Sequence, residues 1–375
     1  MKKNLTIIST NYPSSNKPVR GVFVYKVVKG LIKYYNVSVV CPVPIHKYLY
    51  ARIVGTPYIK NKNNDILVKY VPYFSFGSRY KILYIFSSFS IAVNLLFYKH
   101  KTTDVFYGKF IFGAVIAVAM SKIYKSVSVG DFGESNFSLS ISKYPDFLIR
   151  WVFNNLDLCV CLNKTIRSKL LELGVNEKNI ALIRNGVDTN NFKPNLLKGA
   201  GCEKNAIKVT TNKIVCLFVG HFIKRKGVVE ASQAINNSDC DGIFIGSGME
   251  RPIGDHVLLA VEVSNHILPF YMNKSDIFVF PSHAEGSPNA LIEAIASGLP
   301  IVGWDIPFMR EHTSSDFALL VKENDISALS DAILTLSKDL KLRCSMSHLA
   351  RMYAIENYSI DKRMQKIASH ISNVQ

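Results

Sequence analysis

The first 130 residues almost lack acid. They hold Asp65 and Asp104 against 19 lysines and arginines, so this stretch of the 375-residue chain carries the whole formal charge of +17. The remaining 245 residues balance, 26 basic against 26 acidic. A chain basic throughout would point to nucleic acid. A basic part joined to a neutral part points to one region that faces an anionic partner and another that does not. An anionic membrane surface, a phosphorylated lipid and nucleic acid are the candidates.

Other absences narrow the class. The seven cysteines include no C-x-x-C pair and no metal-ligand spacing, which leaves free thiols and a reducing, cytosolic compartment. Cys159 and Cys161 alternate in LDLCVCL and read as a buried pair on one face of a strand. The histidines are scattered. No Walker loop appears, and GSG at 246–248 is too short for a dinucleotide fingerprint. The apolar run in MKKNLTIIST is too short for a signal peptide and reads as a first buried strand. The longest uncharged run, ILYIFSSFSIAVNLLFY at 82–98, is near the lower limit for a membrane span. Ser87, Ser88, Ser90 and Asn94 interrupt it and a strand pattern follows soon after. A buried crossover helix is the expectation, with a helix partly in the membrane interface as the second possibility.

What is present is alternation of strand and helix patterns. Strand-like runs at 5–10, 37–43, 65–73, 104–110, 126–132 and 156–163 are interleaved with helical patterns at 22–35, 82–98, 112–125 and 166–174. A polar, aperiodic stretch at 196–213 reads as a linker. The alternation then restarts with strands at 214–222, 242–248, 276–282 and 300–305 and a helical pattern at 227–235. Strand and crossover helix in repetition predict an α/β protein of two Rossmann-like, doubly wound domains. Ligands of such sheets sit at the carboxyl ends of the strands, so a cleft between the two domains is the expected site.

The stretch EGSPNALIEAIASGLP at 285–300 is the most informative. The apolar strand DIFVFPS precedes it, and His283 to Ser287 form a loop at the strand's carboxyl end. Pro288 suits the first helical position, and Gly298 and Pro300 stop the helix. The free amides and positive dipole end of that helix suit an anion such as a phosphate. Glu285 lies just before this end. Glu293 lies inside a mostly apolar helix, where an acid is costly unless hydrogen-bonded. By chemistry alone, a pair of ligand-binding carboxylates and an unrelated loop acid and satisfied buried acid are both open. A glycosidase-type pair is disfavoured, because these carboxylates flank a helix end from one side rather than facing across a bond. Asp239-Cys240-Asp241 is a nominal D-x-D, but it precedes a strand and reads as a turn; no metal is required.

SHAEGSPNALIEAIASGLPIVGWDIPFMRE is similar to the E-x7-E signature of retaining GT-B glycosyltransferases, glycosyltransferase family 4. IRNGVDTNNFKP (183–194) resembles that family's N-G-V-D…F-x-P segment at the domain junction. VGHFIKRKG (219–227) resembles its phosphate loop. NYPSSNKPVRGVFVYKVVKGL (11–31) resembles its amino-terminal loop and helix. ENYSIDKRMQKIASHI (356–371) resembles its closing helix. The resemblance implies a GT-B fold with residues 1–190 as the acceptor-binding domain, 191–355 as the nucleotide-sugar-binding domain and 356–375 as a helix crossing back.

It also implies roles. Glu293 would bind the ribose hydroxyls of a UDP- or GDP-sugar, and Glu285 the donor sugar's hydroxyls near the reacting carbon. Lys226 would neutralise the departing diphosphate. Arg225 and the amides around Ser287, Pro288, Asn289 and Ala290 would help, Pro288 itself donating none. Gly21 would let the backbone approach the donor. His221 stands where the family usually has arginine. Asp131 and Glu134 lie where many members carry an acceptor-side histidine. Either could orient an acceptor hydroxyl or act as a weak base, and each could equally cap the following loop; Asp131 is taken as the candidate on that side. The implied reaction is sugar transfer, with retention, to a glycan acceptor that is lipid-linked or part of a lipopolysaccharide. The biological setting would be bacterial surface-polysaccharide synthesis, cytoplasmic and peripheral at the inner membrane face. Residues 1–130 would meet the anionic membrane surface, and nucleic acid is not an expected partner. Beyond the nucleotide sugar no cofactor is needed. Two rivals are a nucleotide-sugar epimerase of the same fold and a non-enzymatic protein that binds nucleic acid or an anionic surface. The first lacks identifiable extra acid/base groups, and the second leaves the glutamates unexplained.

Overall fold

A computed structural model describes residues 2–13, 21–54, 66–75, 81–97, 103–134, 137–194, 211–285 and 288–374. Two compact units divide the chain: residues 1–184 with 363–375, and residues 185–362. The division falls at 185 and 363, against the expected 191 and 356. Most of the expected linker, to residue 210, lies outside the described residues.

The first unit runs β1 (Asn4–Ile8), α1 (Val22–Leu31), β2 (Asn36–Pro44), α2 (Ile45–Ile53), β3 (Leu67–Tyr73), α3 (Lys81–Phe97), β4 (Val105–Lys109) and α4 (Phe110–Tyr124). It continues with β5 (Val127–Phe132), α5 (Phe137–Ile141), α6 (Asp146–Asn155), β6 (Leu158–Cys161), α7 (Lys164–Glu172) and β7 (Ile180–Leu182). Its sheet has the order β3-β2-β1-β4-β5-β6-β7, and every pairing is parallel. Strands of such a sheet are covered on both faces, which is why β4 reads as an unbroken buried run. The 82–98 run forms α3, which links β3 to β4 and buries Ile91 and Leu95. Among the described residues no helix is long and apolar enough to cross a membrane.

The second unit runs β8 (Val215–Val219), α8 (Val228–Asn237), β9 (Asp241–Ile245), β10 (Val257–Val261), α9 (Leu268–Lys274), β11 (Ile277–Phe280) and α10 (Asn289–Ala296). Then come β12 (Ile301–Trp304), α11 (Pro307–His312), β13 (Ala318–Val321), α12 (Ile326–Lys338) and α13 (Leu340–Asn357). Its six-stranded sheet has the order β10-β9-β8-β11-β12-β13, again parallel throughout. The last helix, α14 (Ile360–Asn373), rejoins the first unit from residue 363 on. It buries the stripe Arg363, Met364, Ile367, Ala368 and Ile371, and Met364 fills the space beside Gly30 of α1.

In each sheet the strand order reverses once, at β1/β4 and at β8/β11. Loops leaving the carboxyl ends of the two strands on either side of such a switch diverge and leave room for a ligand. The chemistry-bearing segments of the sequence fall at these two places.

Candidate active site

In the second unit, the loop after β8 leads into a short turn, Lys224–Lys226, and then into α8. The loop after β11 leads into α10. Gly227 joins turn to helix with a φ of +72°. A Cβ there would stand 2.2 Å from the Pro281 carbonyl oxygen. Only glycine accepts both the left-handed backbone and that contact, so the lysine turn is pressed onto the loop that carries Glu285. The His283 amide donates to the Arg225 carbonyl at 3.0 Å and closes the same seam.

This seam brings Lys226 and Glu285 together as a direct ion pair between Nζ and Oε1. The Ser282 hydroxyl donates to the same carboxylate oxygen at 2.9 Å. Arg225 donates from Nη1 to the Ala284 carbonyl and stands 3.9 Å from the other oxygen of Glu285. The Glu285 side chain is 5 % exposed and that of Arg225 48 %, so the carboxylate is sheltered beneath a guanidinium that reaches solvent. Behind the pair, His283 Nδ1 lies 2.6 Å from Glu323 and its Nε2 3.8 Å from Glu230. Ser282, His283, Glu230 and Glu323 escaped the sequence reading. Only the first two were within reach of it, by adjacency to Glu285.

Helix α10 starts at Asn289, with Pro288 as its cap residue rather than its first helical residue. The corrected start matters little for anion binding, since proline donates no amide in either place. At the other end Gly298 takes φ +73°, and the Gly298 and Leu299 amides close back onto Ile295 and Ala294. This double closure satisfies the last carbonyls and stops the helix. Glu293 is buried on α10, 7 % exposed among Leu291, Ile292, Ala294 and Ile295. Asn289 is exposed and accepts a hydrogen bond from Asn185 at 3.1 Å; Ala290 is half-buried. His221 is exposed in the loop after β8. Ser287 lies outside the described residues. Asp239 forms a left-handed turn at the amino end of β9, away from the carboxyl ends where these groups gather.

In the first unit, Gly21 caps α1 with φ +75°. A Cβ there would meet the Asn11 backbone at 2.5 Å, so side chains are excluded. Asp131 ends up elsewhere than the acceptor role requires. It has no exposed surface and is enclosed by Tyr107, whose hydroxyl donates to it at 2.5 Å, by Lys109 Nζ at 2.7 Å, and by Arg363 Nη2 at 3.4 Å. Burial alone would raise its pKa. The charges of Lys109 and Arg363 and the hydrogen bonds from Lys109 and Tyr107 outweigh burial and hold it at about 2. Burial pushes the Lys109 ammonium down, and Asp131 opposes that shift. A carboxylate so closed in has no face left for an acceptor hydroxyl; it ties α14 to the sheet instead. Nearby Glu134 accepts from the Ile111 amide at 2.7 Å. Its second oxygen is buried with no hydrogen-bond partner among the described residues, and burial raises its pKa.

Two parallel-sheet α/β units, each with its strand order reversed once, have the GT-B fold. More narrowly, residues 203–352, most of the second unit, match the family model of glycosyl transferases group 1. The protein is similar to a putative teichuronic acid biosynthesis glycosyltransferase of Bacillus subtilis, 23 % identical over 342 residues, which is 87 % of either chain. It is also similar to the Escherichia coli UDP-Gal:alpha-D-GlcNAc-diphosphoundecaprenol alpha-1,3-galactosyltransferase, 30 % identical over 227 residues, 56 % of this chain and 58 % of that one. Among solved structures, Anabaena HepE in complex with UDP shares the fold with a TM-score of 0.69 at 15 % identity, covering 99 % of this chain and all of that one.

Proposed function

We propose that the protein transfers a sugar, with retention of anomeric configuration, from a UDP- or GDP-sugar to a lipid-linked glycan in the assembly of a bacterial surface polysaccharide. The observation that carries this reading is the Lys226–Glu285 pair set beside the start of α10 at the switch point of the second sheet. Its two members suit the two ends of one donor. Lys226, with Arg225 and His221, supplies positive charge where the diphosphate becomes more negative as it leaves. The positive dipole end at the start of α10 adds to it. Glu285 turns from Lys226 to the donor sugar's hydroxyls once the diphosphate has taken over the lysine. Glu293 accepts hydrogen bonds from the ribose. The bond from the anomeric carbon to the diphosphate breaks, and the acceptor oxygen bonds to that carbon on the same face. The acceptor's proton passes to the leaving diphosphate. The named activity of the Escherichia coli relative supports a nucleotide-sugar donor and a diphospholipid-linked acceptor. The charge of residues 1–130 supports an anionic membrane surface as partner, with the chain peripheral at the inner face of the cytoplasmic membrane.

Nucleotide release from UDP- and GDP-sugars, measured with and without an undecaprenyl-diphosphate-linked sugar, tests the reading. Release of one nucleotide that rises with the lipid acceptor is the expected result. No turnover with any donor, joined to salt-sensitive RNA or DNA binding, would overturn it.

A further inference from the structure

We propose that α2 is the element that seats the first unit on an anionic lipid surface. The inference deepens the membrane partner named above by assigning the contact to particular residues. Helix α2 has one fully buried residue, Ala51. His46, Leu49, Tyr50 and Ile53 stand at spacings of three and four and so share one stripe of the helix. That stripe points away from the protein: Tyr50 is 67 % exposed, Ile53 83 %, and Leu49 and the following Val54 about half. An ordinary surface helix turns its apolar stripe inward, so this one is inverted. A contiguous apolar surface of this kind marks an interaction site.

The residues beside the stripe say what covers it. Lys47 and Arg52 flank it on its two sides, both exposed, and the Arg52 guanidinium lies over the Tyr48 ring at 5.6 Å. The helix contains no acid, and the surrounding 130 residues hold two. A second copy of the same face would set Lys47 and Arg52 near their own like charges. An acidic leaflet meets both features at once. Leu49, Ile53 and Val54 enter the acyl boundary, Tyr50 sits at the headgroup level, and the two cations reach lipid phosphates. Helix α2 begins at the residue after β2, so this contact lies at the carboxyl-end side of the sheet, where a lipid-borne acceptor must be delivered.

Flotation of the full chain with vesicles of phosphatidylglycerol and phosphatidylcholine, and with phosphatidylcholine alone, tests this without donor or acceptor. Binding to the acidic vesicles that weakens with salt is expected. Tyr50→Ser with Ile53→Ser should lower it by about tenfold per side chain. Lys47→Glu with Arg52→Glu should abolish the preference for acidic vesicles while unfolding at the parent temperature. Leu340→Ser, equally apolar and 64 % exposed on the second unit, should leave binding unchanged. Wild-type protein that stays with neither vesicle overturns the proposal. So does equal loss in Leu340→Ser, or a dimer that the α2 variants dissolve in place of any vesicle binding. Since no sugar is present, failure here leaves nucleotide release untouched, and failure of nucleotide release leaves vesicle binding to stand alone.

Discussion

Both units place a lysine and a carboxylate at the carboxyl ends of adjacent strands near the middle of the sheet. In the first, Lys109 and Asp131 are register partners on β4 and β5. In the second, Lys226 and Glu285 extend from the loops after β8 and β11. The two pairs differ in what closes them. Asp131 has a second cation, Arg363, and a tyrosine hydroxyl, and no solvent. Glu285 has a serine hydroxyl and an arginine that reaches water. A pair sealed with surplus positive charge cannot exchange partners and serves as an anchor. On the proposed function, a sheltered pair beside the amino end of α10 is parted by an incoming diphosphate. On that reading the same two residue types have different uses, decided by enclosure.

The sharpest break of this comparison is Asp131→Ala. It would leave Lys109 and Arg363 buried together without a counter-charge, at a cost of about 3–5 kcal/mol, read from urea unfolding. The anchor also has an acid signature. Lys109, Arg363 and their hydrogen bonds hold the Asp131 carboxyl at about 2, against an ordinary 3.8. A depressed carboxylate stabilises above its unfolded pKa, and that stability drains away as pH falls from 3.8 through about 2. The gap is worth roughly 2 kcal/mol. Asp131→Asn should flatten the acid limb of stability in that window. An unchanged limb would mean the pair is no anchor.

Lys226→Ala should act the other way, on rate and little on stability. Its charge is asked to meet the developing diphosphate charge, a contribution of about 2.7–4 kcal/mol, or roughly a hundredfold to a thousandfold in kcat. Steady-state nucleotide release measures it. A stability loss as large as that of Asp131→Ala with kcat intact would place Lys226 with Lys109 as an anchor.

The pair of the second unit was legible in the sequence and that of the first was not. Glu285, Glu293 and Lys226 lie in short segments whose glycines and apolar runs announce loop, strand and helix end. Gly227 against Pro281 then brings the segments together, and a K-G after an apolar strand is visible in the chain. Asp131 was visible as an acid at a strand end, but its partners lie 22, 24 and 232 residues away. Lys109 meets it only through the β4–β5 register, and Arg363 only because α14 returns to the first unit. Long-range enclosure of this kind leaves no local trace. Helix α2 escaped notice for a related reason: its apolar residues face outward, so they mark no core stripe. Residues 312–355, with β13, α12 and most of α13, carry no distinctive motif.

The smallest expected effect is that of Glu293→Gln, and it separates binding from chemistry. The amide has the size of the carboxylate, so α10 and its burial among Leu291, Ile292 and Ile295 should persist. It keeps a hydrogen-bond acceptor but loses the charge that strengthens bonds from ribose hydroxyls, a difference of about 1.5–3 kcal/mol for hydrogen bonds to charged groups. Calorimetric titration with UDP and with GDP should therefore show affinity weakened about tenfold to a hundredfold. Thermal unfolding of the free protein should move little. Undiminished affinity would remove Glu293 from the donor and leave it as a buried structural acid, the counterpart in the second unit of Asp131 in the first.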